Sequence, residues 1–183
     1  MDSRSRAMHK ASKLALMGFD VDGVLTDGTL YFTSAGDEIK AFSSLDGHGI
    51  TMLMSAGIQV AIISGRSSRA LELRAQNLGI EHLFMGVADK PQVMAELLAK
   101  LDLDFTRAGY MGDDVVDIPI LRACGFAATV ADGHDEVKHD ADYVTQRGGG
   151  KGAVREVCDF ILEAQDKLAP MLAAYRLDQK LAT

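Results

Sequence analysis

Carboxylates recur in this chain where short apolar runs end. The run at 14–21 enters Asp20-Val21-Asp22-Gly23-Val24-Leu25-Thr26-Asp27-Gly28, and the run at 108–111 enters Gly112-Asp113-Asp114-Val115-Val116-Asp117. The run at 59–63 ends in Ser64-Gly65-Arg66, and the run at 82–85 is followed after a loop by Asp89-Lys90. In an open α/β sheet, ligands bind at the carboxyl ends of the strands. Asp20, Asp22, Asp113, Asp114 and Asp117 would then face one crevice with Ser64, Arg66 and Lys90. Carboxylates so crowded repel one another unless a cation or raised pKa values compensate. A hard divalent ion with oxygen ligands does this, and Mg²⁺ is typically held by one or two carboxylates plus a substrate phosphate. The pattern predicts a Mg²⁺-dependent phosphotransfer site. Taken alone, Asp22-Gly23 also fits a turn and Asp117 a first-turn helix acid. The turn reading leaves the other strand ends unexplained.

The elements that must position these residues are legible from punctuation. Ser55-Ala56-Gly57-Ile58, Asn77-Leu78-Gly79-Ile80 and Ala123-Cys124-Gly125-Phe126 each place a glycine after a helix-like stretch and before an apolar run. Glycine suits the left-handed residue that closes a helix. The apolar runs at 14–21, 59–63, 82–85, 108–111 and 126–130 lack alternation, as strands buried on both faces do. Helices are expected at about 47–56, 67–78, 90–101, 115–123 and 152–168, with Pro91 in a first turn where its missing N–H costs nothing. Alternation of this kind predicts a doubly wound α/β fold with a parallel sheet. One segment breaks the rhythm: 29–33 and 38–42 flank Ser34-Ala35-Gly36-Asp37 and read as an inserted β-hairpin. No linker divides the chain, so residues 1–183 are expected to form one domain, with a core at about 14–168 and terminal tails at 1–13 and 170–183.

Composition narrows the partners. The 183 residues are 48% hydrophobic and 25% charged, enough to bury a core. No stretch approaches the ~20 apolar residues that span a bilayer. A net charge of −7 argues against nucleic acid or an anionic membrane as partner. Cys124 and Cys158 match no zinc spacing and are expected as buried thiols. With no export signal in view, the expected compartment is the cytoplasm.

The Asp20-x-Asp22-Gly23-x-Leu25-Thr26 strand end resembles the first motif of the haloacid dehalogenase-like hydrolase superfamily. Ser64, Lys90 and Gly112-Asp113-Asp114-x-x-Asp117 match its second, third and fourth motifs, in order. The resemblance implies that Asp20 attacks phosphorus and carries an aspartyl-phosphate. Asp22 would act as general acid and base, and Ser64 and Lys90 would bind the phosphoryl oxygens. Asp20, the main-chain carbonyl of Asp22 and Asp113 would hold Mg²⁺, with Asp114 and Asp117 orienting them. Only about forty residues separate Asp22 from Ser64, and fewer separate Ser64 from Lys90, so no separate cap domain is expected.

Within the capless group the match covers most of the chain. Lys40-Ala41-Phe42-x-x-x-Asp46-Gly47-x-Gly49-Ile50, Ile63-Ser64-Gly65-Arg66, Ala141-Asp142-Tyr143-Val144-Thr145 and Gly149-Gly150-Lys151-Gly152-Ala153-Val154-Arg155-Glu156 resemble the 3-deoxy-D-manno-octulosonate 8-phosphate phosphatases. That family releases the free sugar acid for bacterial lipopolysaccharide. It forms homotetramers in which hairpins build a central core and neighbouring subunits complete each site. Arg66 is then expected to read the substrate carboxylate with its planar fork, or else to be a solvated helix-start residue. Gly65 stands beside it. Arg74 is expected to join Arg66 or to be a surface charge, and Asp46 and Gly47 to be substrate-loop residues or a plain helix start. Leu45 replaces a basic residue of several relatives, and the tail from Pro170 lacks the family's glycine-containing end. The alternatives are a phosphatase of a nine-carbon keto-deoxy sugar acid, a broad sugar-phosphate phosphatase, or a non-catalytic oligomeric scaffold.

Overall fold

The computed structural model describes residues 2–177. Six parallel strands form its sheet, in the order β5-β4-β1-β6-β7-β8. They are β1 (Leu16–Phe19), β4 (Gln59–Ile63), β5 (His82–Phe84), β6 (Ala108–Met111), β7 (Phe126–Thr129) and β8 (Tyr143–Val144). β1 lies in the middle, and the chain winds outward from it first toward β5 and then toward β8. The expected doubly wound sheet is therefore present, and its switch point lies at the carboxyl end of β1.

Side-chain alternation assigns the two faces. Met17, Phe19, Val60 and Ile62 point to one side, where α1 (Ser3–Ala11), α2 (Ser44–Ser55), α3 (Arg69–Leu78) and α7 (Ala153–Ala164) cover them. Leu16, Ala61, Ile63 and Tyr110 point to the other, under α4 (Lys90–Lys100), α5 (Ile118–Ala123) and α6 (Asp135–Asp140). Because both faces are covered, β1 and β6 are buried at every residue. This is why they read as unbroken apolar runs. A Cβ on Gly18 would lie 2.7 Å from the Tyr110 ring. The absent side chain lets that ring pack against β1 and donate its hydroxyl hydrogen to the Ile63 carbonyl at 2.9 Å. The ring thereby ties β6 to β4 across β1.

Helices occupy both ends of the described chain. Within the expected N-terminal tail, Ser3–Ala11 form α1, whose N-cap Asp2 accepts the Ser5 N–H at 2.7 Å. Its buried stripe is only Ala7 and Ala11, one turn apart, and such small residues leave little hydrophobic signal in a polar stretch. After α7, residues 168–177 form α8 (Leu168–Leu177); the rest of the expected tail lies outside the described residues. The hairpin is present but short, pairing β2 (Tyr31–Phe32) with β3 (Glu38–Ile39) through Tyr31↔Ile39 and Phe32↔Glu38. Leu30, Tyr31, Phe32 and Ile39 are exposed. Among the described residues no helix is long and apolar enough to cross a membrane.

Asp46 has a structural role in this fold. It sits in the first turn of α2, is 1% exposed, and its carboxylate accepts the N–H groups of Arg155 at 2.8 Å and Gly152 at 3.3 Å. It thus caps α7 from another helix, a place where anions are favoured. Replacing Asp46 with alanine leaves those buried donors unpaired, at a cost of about 1–3 kcal/mol. The expected result is a thermal midpoint lowered by about 3–10 °C, read by calorimetry, with KM little changed. An unchanged midpoint with a raised KM would give Asp46 to the substrate instead.

Candidate active site

The carboxyl ends of β1, β4 and β6 open into a cleft of about 480 Å³ lined by Asp20, Asp22, Ser64, Gly65, Arg66, Lys90, Asp113 and Asp114, among others. Register brings them together. Phe19 pairs with Ile62 and Met111, so the next residues, Asp20, Ile63–Ser64 and Gly112–Asp113, emerge side by side. Lys90 arrives as the first residue of α4, whose start is fixed by Asp89 accepting the Gln92 N–H at 3.0 Å and by Pro91 in the first turn.

Lys90 organises the deepest part. Its Nζ lies 2.9 Å from Asp20 Oδ2 and 2.7 Å from Asp117 Oδ1, and it is 5.7 Å from the centre of the Tyr110 ring. Asp117 is fully buried, and its other oxygen accepts the N–H groups of Asp113 at 3.1 Å and Asp114 at 3.4 Å. Its carboxylate therefore pins the loop that carries Asp113. A Cβ on Gly112 would fall within 2.5 Å of that carboxylate, so only glycine fits there. Asp114 turns away to cap the short 3-10 turn, accepting the Val115 N–H at 2.7 Å.

Asp20, Asp113 and Asp117 each offer an oxygen within 4.8 Å of the others. Burial first, then the Asp117 charge, raises the Asp20 pKa to about 6 against the opposing pull of Lys90. Burial, then Asp20, Asp117 and Asp114, raises that of Asp113 to about 7. Burial works against the Lys90 ammonium, but Asp20 and Asp117 outweigh it and the net shift is upward. Asp113 Oδ1 is buried with no hydrogen-bond partner. An orphaned oxygen beside a second under-neutralised carboxylate fits a hard divalent cation. Asp117 has both oxygens engaged, which leaves Asp20 and Asp113 as the better donors. The Asp22 side chain is not in this cluster.

The approach of Asp113 depends on Gly23. At φ +89° its backbone is left-handed, and a Cβ there would lie 2.0 Å from Asp113 Oδ2. The Gly148-Gly149-Gly150 segment packs on the same loop: a Cβ on Gly149 would meet the Gly23 carbonyl at 1.8 Å, and Gly150 N–H donates to Val24 O at 2.9 Å.

Nearer the mouth lies a second charge cluster that strand-end reasoning missed. Asp22 pairs with Lys40, and its Oδ2 lies 3.5 Å from Arg66 Nε. Arg66 Nη2 donates to Glu38, and Lys40 Nζ lies 3.1 Å from Glu38 Oε1. Glu38 and Lys40 come from the hairpin, with the Lys40 side chain almost wholly buried. The available signal was their spacing of two, which puts both on one face of an extended segment. Ser64 is buried, and its Oγ accepts the Arg66 N–H at 3.3 Å.

Asp46, Gly47 and Arg74 are not brought into the cleft. Arg74 Nη2 donates to the Ser43 carbonyl at 3.2 Å and occupies the space a Cβ on Gly47 would need. These three residues line a separate small pocket with Leu25, Phe42 and Ile62. A further hollow of about 460 Å³ borders α1, α7 and α8, and four of its charged residues pair, Arg4 with Glu163 at 3.1 Å and Arg155 with Asp159 at 2.8 Å.

Known proteins are similar to this chain in sequence and in fold. A sequence profile of haloacid dehalogenase-like hydrolases matches residues 32–125. The chain is 47% identical over 161 residues to the 3-deoxy-D-manno-octulosonate 8-phosphate phosphatase KdsC of Yersinia pestis, covering 88% of this chain and 86% of that one. Its counterpart in Escherichia coli strain K12 is 45% identical over 159 residues, 87% and 85% of the two chains. A crystal structure of the Moraxella catarrhalis phosphatase, in complex with magnesium, phosphate and KDO, superposes with a TM-score of 0.92 at 40% identity, covering 93% of this chain and 98% of that one. With such identity sustained along nearly its whole length, the chain belongs to the 3-deoxy-D-manno-octulosonate 8-phosphate phosphatases, within the haloacid dehalogenase-like hydrolases.

Proposed function

We propose that this chain hydrolyses 3-deoxy-D-manno-octulosonate 8-phosphate to the free sugar acid and phosphate, through an aspartyl-phosphate, in the supply of that sugar acid for lipopolysaccharide. The observation that carries the reading is the buried Asp20–Lys90–Asp117 bridge with the unpartnered Asp113 oxygen beside it, in a chain 47% identical to a phosphatase of this name. A homotetramer in the cytoplasm goes with this reading. The exposed Leu30, Tyr31, Phe32 and Ile39 on the hairpin support contact with further copies of the chain.

In the first step an Asp20 carboxylate oxygen attacks phosphorus and the ester P–O bond breaks. The leaving sugar oxygen takes a proton from Asp22. In the second step Asp22 removes a proton from water as that water attacks the phosphorus, which frees phosphate and restores Asp20. Splitting the displacement this way replaces one hard step with two easier ones, and Asp22 contributes a factor of about 10²–10⁴. Lys90 and Ser64 hold the phosphoryl oxygens, while Asp117 keeps Lys90 aimed at them. Mg²⁺, bound by Asp20, Asp113 and the Asp22 carbonyl, would neutralise charge on the phosphoryl group. Arg66, half-exposed at the mouth, takes the substrate carboxylate with its fork. Asp46, Gly47 and Arg74 support the α2 and α7 scaffold.

Phosphate release from the octulosonate 8-phosphate, a nine-carbon analogue, arabinose 5-phosphate and an aryl phosphate tests this directly. Metal-dependent preference for the octulosonate is the expected result; release without preference would discard the named substrate. Asp20→Asn should reduce turnover at least ~10³-fold with the fold intact, and a variant that still turns over would remove Asp20 as nucleophile. Arg66→Ala should raise KM about 10- to 100-fold for the octulosonate alone, and an equal rise for every ester would refute the carboxylate contact.

The metal assignment has a readout apart from activity. Mg²⁺ at ~100 times its dissociation constant should raise the thermal midpoint of chelator-treated protein by about 5–10 °C. Asp113→Asn should lose most of that increment. An equal increment in the variant would place the ion elsewhere.

A further inference from the structure

Arg66 is a fork with two partners already on it. Its Nη2 donates to Glu38 and its Nε faces Asp22 Oδ2 at 3.5 Å, so the Nε–Nη2 edge of the guanidinium is in use. Arg66 itself is 46% exposed, whereas the Glu38 side chain is only 15% exposed. The fork therefore sits at the cleft mouth, where a ligand meets it, with Glu38 behind it. A planar guanidinium binds one carboxylate in a bidentate manner at a given edge. An incoming carboxylate at the Nη2 edge meets Glu38 there, and two like charges on one donor oppose each other.

Glu38 also has somewhere to go. Its Oε1 is buried without a hydrogen bond, and Lys40 Nζ stands 3.1 Å away without the geometry of one. A small shift of the Glu38 carboxylate toward Lys40 makes that bond and frees the Arg66 edge. The backbone beneath offers little resistance, because β2 and β3 share only two residue pairs, and so short a two-stranded ribbon is marginal by itself.

We propose that Glu38 holds the Arg66 guanidinium in the substrate-free protein as a stand-in for the substrate carboxylate, and is exchanged for it on binding. This rests on the reading of Arg66 as the carboxylate contact. Glu38 then acts as a specificity residue. A sugar phosphate with no carboxylate leaves the Glu38–Arg66 pair closed and gains nothing from Arg66. A substrate that carries one opens the pair, at some loss of affinity. Binding that must first release a competing contact is weakened by the fraction of sites still closed. For a half-exposed ion pair that fraction corresponds to about a two- to fivefold change.

The test compares wild type with Glu38→Gln, which keeps the shape and removes the charge. Two quantities are read: the ratio of KM for the octulosonate 8-phosphate to KM for arabinose 5-phosphate, and the inhibition constant of the free sugar acid, which has the carboxylate and no phosphate. Both should fall two- to fivefold in Glu38→Gln, and neither should respond to it in an Arg66→Ala background. Glu38→Asp, which keeps the charge but shortens the reach to Arg66, should shift both in the same direction and serves if the first variant folds poorly. If Arg66→Ala raises the ratio while the Glu38 variants leave it unchanged or raise it, Glu38 is no stand-in and the Arg66 contact survives. If Arg66→Ala leaves the ratio unmoved, the carboxylate reading and the stand-in fail together.

Discussion

The structure is organised around one electrostatic demand: one oxygen each of Asp20, Asp113 and Asp117 lie within 4.8 Å of one another at the floor of the cleft, where burial weakens screening by water. Left alone, such a cluster would take up protons, and burial already pushes Asp20 to about 6 and Asp113 to about 7. Lys90 answers part of the demand by bridging Asp20 and Asp117. The remainder, at Asp20 and Asp113, is unmet by any side chain among the described residues, and that shortfall makes the site receptive to a divalent cation. A fully neutralised cluster would be a more stable piece of protein and a poorer place for phosphate chemistry.

Much of the surrounding fold serves to hold that imbalance in place. Lys90 is aimed by the start of α4, and the Tyr110 ring beneath it is admitted by Gly18. Asp113 is aimed by two amide hydrogen bonds between its loop and Asp117, and by the space that Gly23 and Gly112 leave open. Small residues at these positions let charged groups come closer to the backbone than any side chain would permit. The glycine loop at 148–150 then braces the Gly23 segment from outside. The site is thus preorganised by backbone approach as well as by charge.

The sheet and the inner cluster were legible in the sequence because both are consequences of strand ends. Unalternated apolar runs marked β1, β4, β6 and β7, and whatever polar residue followed each one had to face the crevice. Asp20, Ser64 and Asp113 came from that rule, with Lys90 added by its place at a helix start. Residues that reach a site from elsewhere carry no such mark. Glu38 and Lys40 belong to an exposed hairpin, and only tertiary structure sets them against Asp22 and Arg66. Asp46 was legible as a group at a helix start, but its partners, the amides of Gly152 and Arg155, lie more than a hundred residues away and on another helix. The helix α1 was hidden for a different reason: its fully buried residues are two alanines, and two alanines make no pattern.

The division between an inner and an outer cluster has a consequence for how selectivity and chemistry are distributed. The inner set stands on strand ends and on the start of α4, elements locked by the core, and in the proposed reaction it addresses the phosphoryl group that every ester shares. The outer set is built partly on a short insertion that the sheet does not contain, and on the proposed reading it meets the part of the substrate that differs between esters. Two residues link the sets: Asp22, two residues from Asp20 along the chain and in contact with Lys40 and Arg66 across space, and Ser64, which accepts the Arg66 N–H. Changes on the hairpin therefore alter what is held at the mouth without moving Asp20, Lys90 or Asp113, because no hydrogen bond or ion pair described among them passes through Glu38 or Lys40. Coupling between the two sets therefore has two routes, along the chain from Asp22 to Asp20 and from the Arg66 N–H to Ser64.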